Sequence, residues 1–111
     1  MHHQIDYIEF PSSDIAKTKS FYATVFGWKF TDYGPDYTAF EDGRLSGGFT
    51  TDRIAQPNGI LIVLYSNNLE KTKTSIEQHQ GKITKDIFSF PGGKRFHFSD
   101  PSGNEIAVWS K

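Results

Sequence analysis

The 111-residue sequence contains no cysteine and no long apolar run, and neither sign of charge is in clear excess. The absence of cysteine excludes disulfide bonds and thiolate zinc sites. Because 12 Lys and Arg residues are balanced by 13 Asp and Glu residues, the chain shows no electrostatic pattern for binding nucleic acid or an anionic membrane. No segment is long and apolar enough to span a bilayer, and no signal-peptide pattern opens the chain. We therefore expect a soluble, cytoplasmic protein with no nucleic-acid or membrane partner.

Several catalytic motifs are missing as well. The chain has no nucleophile elbow, no glycine loop of the kind that cradles phosphates, and no paired-carboxylate spacing. Aromatic residues, by contrast, make up 15% of the sequence and are mostly Phe and Tyr. This composition favours β-sheet over a helical bundle, and the length predicts one compact domain over residues 1–111.

An internal repeat divides the chain into two halves. The Lys-Thr-Lys tripeptide at residues 17–19 recurs at residues 71–73, which is 54 residues later. At the same offset a capping residue, several apolar positions and a helix-ending glycine also match. The matched pairs are Asp14 with Asn68, Ile15 with Leu69, Gly27 with Gly81, Ile8 with Ile62, and Phe10 with Leu64. The repeat predicts two modules, at about residues 1–56 and 57–111, each small enough that the two should pack together.

The alternation of the first strand predicts which side chains share a face. In residues 5–10, Ile8 and Phe10 lie on one face, and Tyr7 and Glu9 lie on the other. We expect Ile8 and Phe10 to pack against the first helix. Tyr7 and Glu9 then face away from that helix.

Each half is predicted to contain one helix and four strands. The first helix begins at Ser13 or Asp14 and ends at the left-handed Gly27, and the second runs from Leu69 to about residue 80 and ends at Gly81. Strands are predicted at residues 5–10, 28–31, 37–40, 47–50, 60–65, 82–88, 94–99 and 105–109. The continuous apolar run at 60–65 predicts a strand covered on both faces. The predicted fold class is α+β, built from two βαβββ modules.

Four short motifs lie in the first and last quarters of the chain. Residues 7–11 (Tyr-Ile-Glu-Phe-Pro), residues 25–28 (Val-Phe-Gly-Trp), residues 92–96 (Gly-Gly-Lys-Arg-Phe) and residues 100–104 (Asp-Pro-Ser-Gly-Asn) stand in a fixed order around the repeat. Together they resemble the vicinal oxygen chelate superfamily of glyoxalases, bleomycin-resistance proteins and dioxygenases. The nearest subgroup resembles proteins described as related to lactoylglutathione lyase. The resemblance implies that the two modules pair into a glyoxalase-like fold with a cup-shaped mixed sheet.

The same resemblance implies where a metal would bind. In this superfamily a divalent metal in the cup takes one side chain from the first and last strand of each module, and acts as a Lewis acid. The usual ligands are His, Gln and Glu. The resemblance places the four ligand positions at Tyr7, Gly47, Leu61 and Ala107, and three of these side chains have no donor atom. We therefore expect no metal in the cup and no other cofactor.

Two residues of the first strand are candidates for ligand binding. The Glu9 carboxylate beside an aromatic wall can act as a base or pair with a cationic ligand. The alternative is a rim carboxylate that is solvated or paired with a lysine. Tyr7 can orient a ligand through its hydroxyl, or it can pack in the wall and plug the former metal position. We expect both to face an open cavity, with Glu9 as its main polar determinant.

Four further candidates lie on later strands. His97 and Arg95 share one face of the strand at residues 94–99. Arg95 can hold an anion bidentately or form a surface ion pair, and His97 is either a ligand contact or a hydrogen-bonded, half-exposed residue. Tyr37 and Trp109 can stack on a flat substrate or serve the core.

Three functions are compatible with these features. The first is a metal-independent small-molecule binding protein, similar in principle to the bleomycin-resistance proteins. The second is a lyase, isomerase or dioxygenase that recruits a metal through other residues, such as Glu9, His97 and Glu105. The third is a regulatory or interaction module. The expected partner is an unidentified small molecule, and the resemblance implies a homodimer.

Overall fold

The computed structural model describes residues 2–111, which form two helices and eight strands. The chain divides into two compact units, the first ending at Ala55 and the second beginning at Gln56. Neither helix in the described residues is long and apolar enough to cross a membrane. In chain order the elements are β1 (Tyr7–Pro11), α1 (Ile15–Phe26), β2 (Lys29–Asp32), β3 (Tyr37–Glu41), β4 (Ser46–Thr50), β5 (Ile62–Tyr65), α2 (Leu69–Gln78), β6 (Lys82–Phe90), β7 (Gly93–Ser99) and β8 (Glu105–Ser110).

Both units have the same sheet topology. The strand order is β1-β4-β3-β2 in the first unit and β5-β8-β7-β6 in the second. The first strand of each unit pairs in parallel with the fourth, and the other pairings are antiparallel. This confirms the predicted α+β class with two βαβββ modules, and β1 and β5 occupy equivalent places as the repeat predicts.

The repeat extends to individual side-chain contacts. A buried or part-buried pair of hydroxyls joins the loop before each helix to the helix, and a lysine of each helix pairs with an aspartate beyond it. Each residue in the pairs of the second unit lies 54 positions after its counterpart in the first unit. The pairs are Ser12 with Thr18 and Ser66 with Thr72 at 2.7 Å, and Lys19 with Asp32 and Lys73 with Asp86 at 2.8 Å.

The helix starts are equivalent, but the helix ends are not. The side chains of Asp14 and Asn68 each accept a hydrogen bond from a main-chain N–H three residues later, at 3.1 Å. Gly27 ends α1 with φ of 74°, as predicted. The predicted end of α2 is wrong, because the left-handed residue there is Gln80, with φ of 75°. The left-handed residue is followed by Gly81, whose main-chain N–H donates a hydrogen bond to the carbonyl of Ile76 at 2.9 Å. This hydrogen bond completes the end of the helix.

Each helix covers one face of its sheet and leaves the other face open. In the first unit Phe21 and Tyr22 of α1 are buried, and Tyr22 lies 4.7 Å from Trp28 and 5.0 Å from Phe49 between ring centroids. Phe10 joins this core through Phe49 at 5.1 Å. The predicted packing of the apolar face of β1 on the helix side is thereby confirmed for Phe10.

The second unit shows the same arrangement, with one correction. Its core consists of side chains that are at most 2% exposed, namely Ile76, Phe96, Phe98, Ile106 and Val108. The prediction that residues 60–65 form a strand covered on both faces is wrong, because Val63 and Tyr65 are 41% and 49% exposed. β5 is an edge strand that begins at Ile62, and α2 packs on the opposite face of the sheet.

Candidate functional site

The open face of the first sheet carries a chain of hydrogen bonds between three predicted site residues. The Tyr37 hydroxyl donates to Oε2 of Glu9 at 3.0 Å, and the hydroxyl oxygens of Tyr7 and Tyr37 lie 2.5 Å apart. Because the proton of Tyr37 is committed to Glu9, Tyr7 must donate to Tyr37, which leaves the lone pairs of Tyr7 as the free end of the chain. Tyr7 is 45% exposed. The chain therefore runs from a carboxylate to a phenol that solvent or a ligand can reach.

Strand alternation and register bring these residues together. Tyr7 and Glu9 lie two residues apart on β1, so they share a face. Glu9 is opposite Gly48 of β4, and Tyr37 starts the next strand of the sheet, β3. The Tyr37 ring reaches Glu9 only because it passes over Gly48. A methyl group at that position would overlap the Tyr37 hydroxyl and lie 2.8 Å from the Tyr7 hydroxyl.

Gly48 is a site residue that was not predicted. The available signal was the Gly-Gly pair inside a predicted strand, since glycine in a strand interior marks close approach of another group. The family resemblance instead indicates only Gly47 of this pair. Which group approaches depends on a side chain of another strand, which a local pattern does not show.

The predicted assignment of Gly47 as a family metal-ligand position is one residue off. Gly48 pairs with Glu9 as Ala107 pairs with Val63, so Gly48 is the equivalent of Ala107. Gly47 is opposite Ile8, and a methyl group there would overlap the Ile8 carbonyl and the Phe40 ring on the helix side. The error arises because the two hairpins before β4 and β8 do not align on their glycines.

The other carboxylate oxygen of Glu9 faces an arginine. Oε1 lies 3.7 Å from Nε of Arg53, and the side chains of Glu9 and Arg53 are 39% and 63% exposed. An exposed pair of this kind contributes little to stability. The predicted alternative of a paired rim carboxylate is therefore present in part, with arginine in place of lysine. One carboxylate oxygen of Glu9 is therefore hydrogen-bonded to Tyr37, and the other faces an exposed arginine that a ligand can replace.

The electrostatics keep Tyr37 protonated. Partial burial, followed by the hydrogen bonds with Tyr7 and with Glu9, raises the pKa of Tyr37 well above its ordinary value of 10.0. A phenol with a raised pKa stays neutral and remains a donor to the carboxylate. The chain can thus accept a hydrogen bond at Tyr7 without Tyr37 losing its proton.

The open face of the second sheet carries the other three predicted residues. Arg95 and His97 of β7 are opposite Trp109 and Ala107 of β8, and Phe96 and Phe98 point to the core, as the alternation predicted. His97 is more buried than the half-exposed side chain considered above, since its side chain is 10% exposed. Its Nδ1 lies 3.0 Å from Oε2 of Glu105. Its Nε2 is buried and has no hydrogen-bond partner within residues 2–111.

Arg95 is surrounded by aromatic rings. Its guanidinium carbon lies 5.4 Å from the centroid of Phe88 and 5.7 Å from that of Phe90. Its Nε is buried without a hydrogen-bond partner in the described part of the chain. Trp109 continues this aromatic wall, at 4.9 Å from Tyr65 and 6.2 Å from Phe90 between ring centroids.

The donor set does not fit a divalent metal bound in the family manner. Of the four equivalent positions, Tyr7 alone has a donor atom, and its phenol is engaged with Tyr37. Gly48, Leu61 and Ala107 have none. Across residues 2–111, no three His, Asp or Glu side chains are grouped closely enough to hold a metal ion. Of the alternative ligands Glu9, His97 and Glu105, the contact observed is that between His97 and Glu105.

Comparisons with known proteins agree on the fold. Three solved structures resemble this one: a glyoxalase-related enzyme from Fulvimarina pelagi (TM-score 0.84, 15% identity, 98% of this chain and 88% of that one), the fosfomycin resistance protein FosX from Mesorhizobium loti (0.82, 11%, 100% and 94%), and a lactoylglutathione lyase from Agrobacterium tumefaciens (0.77, 18%, 97% and 93%). Among curated proteins, no sequence matches this chain.

The family itself follows from the sequence. The model of the Glyoxalase/Bleomycin resistance protein/Dioxygenase superfamily matches residues 4–108, which is nearly the entire chain. The match agrees with the two βαβββ modules and with the motifs described above. The chain therefore belongs to the Glyoxalase/Bleomycin resistance protein/Dioxygenase superfamily.

Proposed function

We propose that this protein binds a small organic molecule and does so without a metal ion. The observation that carries the proposal is the state of Gly48. This position is equivalent to one that supplies a metal ligand in the superfamily, and here the hydroxyls of Tyr37 and Tyr7 lie where its side chain would be. A hydrogen-bonding chain thus stands where a Lewis acid would act.

The chain selects ligands that can donate a hydrogen bond. Glu9 accepts from Tyr37, Tyr37 accepts from Tyr7, and Tyr7 is left to accept from the ligand. The negative charge at the base favours an N–H, O–H or cationic group at the exposed end. Glu9 is therefore proposed as the main polar determinant, acting through both phenols.

The similar solved structures support recognition of a small molecule in general, but they do not indicate whether this chain converts its ligand or only binds it. One structural neighbour is a lactoylglutathione lyase and another is a fosfomycin resistance protein. Because one fold supports a lyase and a resistance protein, function has to be argued from the site. Here the first sheet offers a chain of hydrogen bonds, the second sheet offers an aromatic wall, and three of the four family metal positions lack a donor atom.

The test is a thermal-shift screen of metabolites and antibiotics in the presence of a chelator, followed by affinity measurements on wild type and Glu9→Gln. Glutamine can still accept from Tyr37, so we expect a nearly unchanged melting temperature. Loss of the charge should weaken binding by about tenfold or more. Glu9→Gln that lowers stability strongly while leaving every affinity intact would show that Glu9 is structural.

A lyase or isomerase activity is the second candidate, and the His97–Glu105 contact favours it. Because Nδ1 of His97 donates to the carboxylate, Nε2 is left to take or give a proton. Turnover of a screening hit by wild type, with loss of turnover in His97→Gln at unchanged affinity, would favour the enzyme. Binding without turnover in both proteins supports the binding function.

A further inference from the structure

The open face of the second sheet has two buried nitrogens that have no hydrogen-bond partner in the described part of the chain. These are Nε of Arg95 and Nε2 of His97. The two residues lie two positions apart on β7 and share a face. A buried polar atom without a hydrogen bond is unfavourable, so these two neighbouring nitrogens favour a polar ligand at this face.

The charge of Arg95 is also unpaired. Within residues 2–111, the ion pairs join Lys19, Arg53, Lys73 and His97 to carboxylates, and Arg95 takes part in none. Its guanidinium instead lies over the rings of Phe88 and Phe90. Cation–π contacts position the guanidinium, and its N–H groups can bind a planar acceptor bidentately.

The surrounding charges favour an anion over a cation. Lys85 lies opposite His97 in the sheet, and its Nζ is 4.5 Å from the Phe88 centroid. Glu105 is the acidic residue at this face, and it is paired with Nδ1 of His97. Arg95 and Lys85 are thus opposed by one carboxylate that already has a partner.

The same face has an apolar floor beside these groups, formed by Val63, Tyr65 and Trp109. The rings of Tyr65 and Trp109 pack edge to face, and Val63 and Tyr65 are exposed. An aromatic ring laid on this floor would place a substituent next to Arg95, because Arg95 is directly opposite Trp109. This face therefore offers a ligand an aromatic surface and a positive charge next to each other.

We propose that this face is a subsite for an aromatic carboxylate, with the carboxylate on Arg95 and the ring on Tyr65 and Trp109. His97 is two positions from Arg95 on the same face of β7, so its imidazole lies next to the bound carboxylate. This inference rests on the proposed function, the metal-free binding of a small molecule, and names a ligand class for the second sheet. The contacts that carry it are those of Arg95, His97 and Trp109, and none of them involves Glu9 or Gly48.

The experiment compares 1-naphthoate with 1-naphthamide, its neutral amide, by isothermal titration calorimetry on the full chain. We expect the acid to bind at least about tenfold more tightly than the amide, which is the scale of one charged hydrogen bond. Arg95→Gln should remove that difference. Lys94→Gln removes the same charge from the neighbouring position, whose exposed side chain lies on the opposite face, and should preserve it.

A second readout keeps the test decisive if Arg95→Gln fails to fold. The imidazole nitrogen resonances of His97 in the wild-type protein should shift on addition of 1-naphthoate and not on addition of 1-naphthamide. Equal affinities for acid and amide, or an equal loss in Lys94→Gln and Arg95→Gln, would overturn the subsite. Screening hits that depend on Glu9 while 1-naphthoate does not bind would overturn the subsite alone. Binding of 1-naphthoate that requires an added metal would overturn the metal-free function.

Discussion

Replacing Gly48 with alanine tests the arrangement of the first site most specifically. The backbone of Gly48 is not left-handed, so alanine is allowed there and should gain about 0.4–1 kcal/mol by restricting the unfolded chain. Its methyl group would overlap the Tyr37 hydroxyl and crowd that of Tyr7. Both phenols must then rotate, which breaks the Tyr7–Tyr37 and Tyr37–Glu9 hydrogen bonds.

The expected effect on stability is modest, whereas the effect on the site is large. A neutral hydrogen bond contributes about 1 kcal/mol and one to a charged group about 2 kcal/mol, but both are exposed here and water replaces part of each. We expect a net loss of about 1 kcal/mol, or about 4 °C in melting temperature. Ligand affinity should fall by at least about tenfold, because Tyr7 and Glu9 no longer act together.

Gly47→Ala is the matched control. A methyl group at Gly47 would overlap the main-chain carbonyl of Ile8 and the Phe40 ring, and neither can move into solvent. We expect a loss of about 3 kcal/mol or more. The assay is urea unfolding of both variants followed by tryptophan fluorescence, with ligand titration of Gly48→Ala. Unchanged ligand affinity in Gly48→Ala, or a Gly47→Ala protein as stable as Gly48→Ala, would refute the reasoning.

Three further predictions concern single residues. Because the pKa of Tyr37 is raised in the folded state, its contribution to stability is complete below the unfolded value of about 10 and is lost as pH rises above it; urea unfolding at alkaline pH should show a shallower decline for Tyr37→Phe, and identical slopes would contradict this. Thr18→Val removes the buried partner of Ser12 and should cost about 1–2 kcal/mol, more than Thr72→Val, whose equivalent pair is only part-buried; the reverse order in chemical unfolding would be inconsistent with the burial difference. Gln80→Gly relieves a left-handed non-glycine residue and should stabilise the protein by about 1 kcal/mol, so a lower melting temperature would count against this geometry.

The fold was largely predictable because its signals are local. The caps, Gly27 and the alternation of Tyr7 and Glu9 each depend on a few neighbouring residues, and the repeat supplied each signal twice. At the reversal after α2, the sequence pattern predicts Gly81 as the left-handed residue, but that residue is Gln80. Hydrogen bonding to Ile76 decides that ending, and it is not visible in the sequence.

The residues of the site could be predicted from the sequence, but the contacts between them could not. Tyr7, Glu9 and Tyr37 were each named as candidates, but their connection over Gly48 joins three strands and depends on exact register. In the second unit the alternation placed Arg95 and His97 together. That Nε of Arg95 and Nε2 of His97 have no hydrogen-bond partner within residues 2–111 is a result of three-dimensional packing, which strand alternation does not show. The homodimer implied by family resemblance stays a prediction, and size-exclusion chromatography with light scattering tests it.

The central claim is binding without a metal, and metal stoichiometry tests it most directly. Untagged protein would be equilibrated with zinc, nickel, iron and manganese, freed of unbound metal, and measured by elemental mass spectrometry. The donor set at Tyr7, Gly48, Leu61 and Ala107 predicts substoichiometric metal, and ligand affinity that a chelator does not change. About one equivalent of a metal per chain, with loss of ligand binding when that metal is removed, would contradict the account.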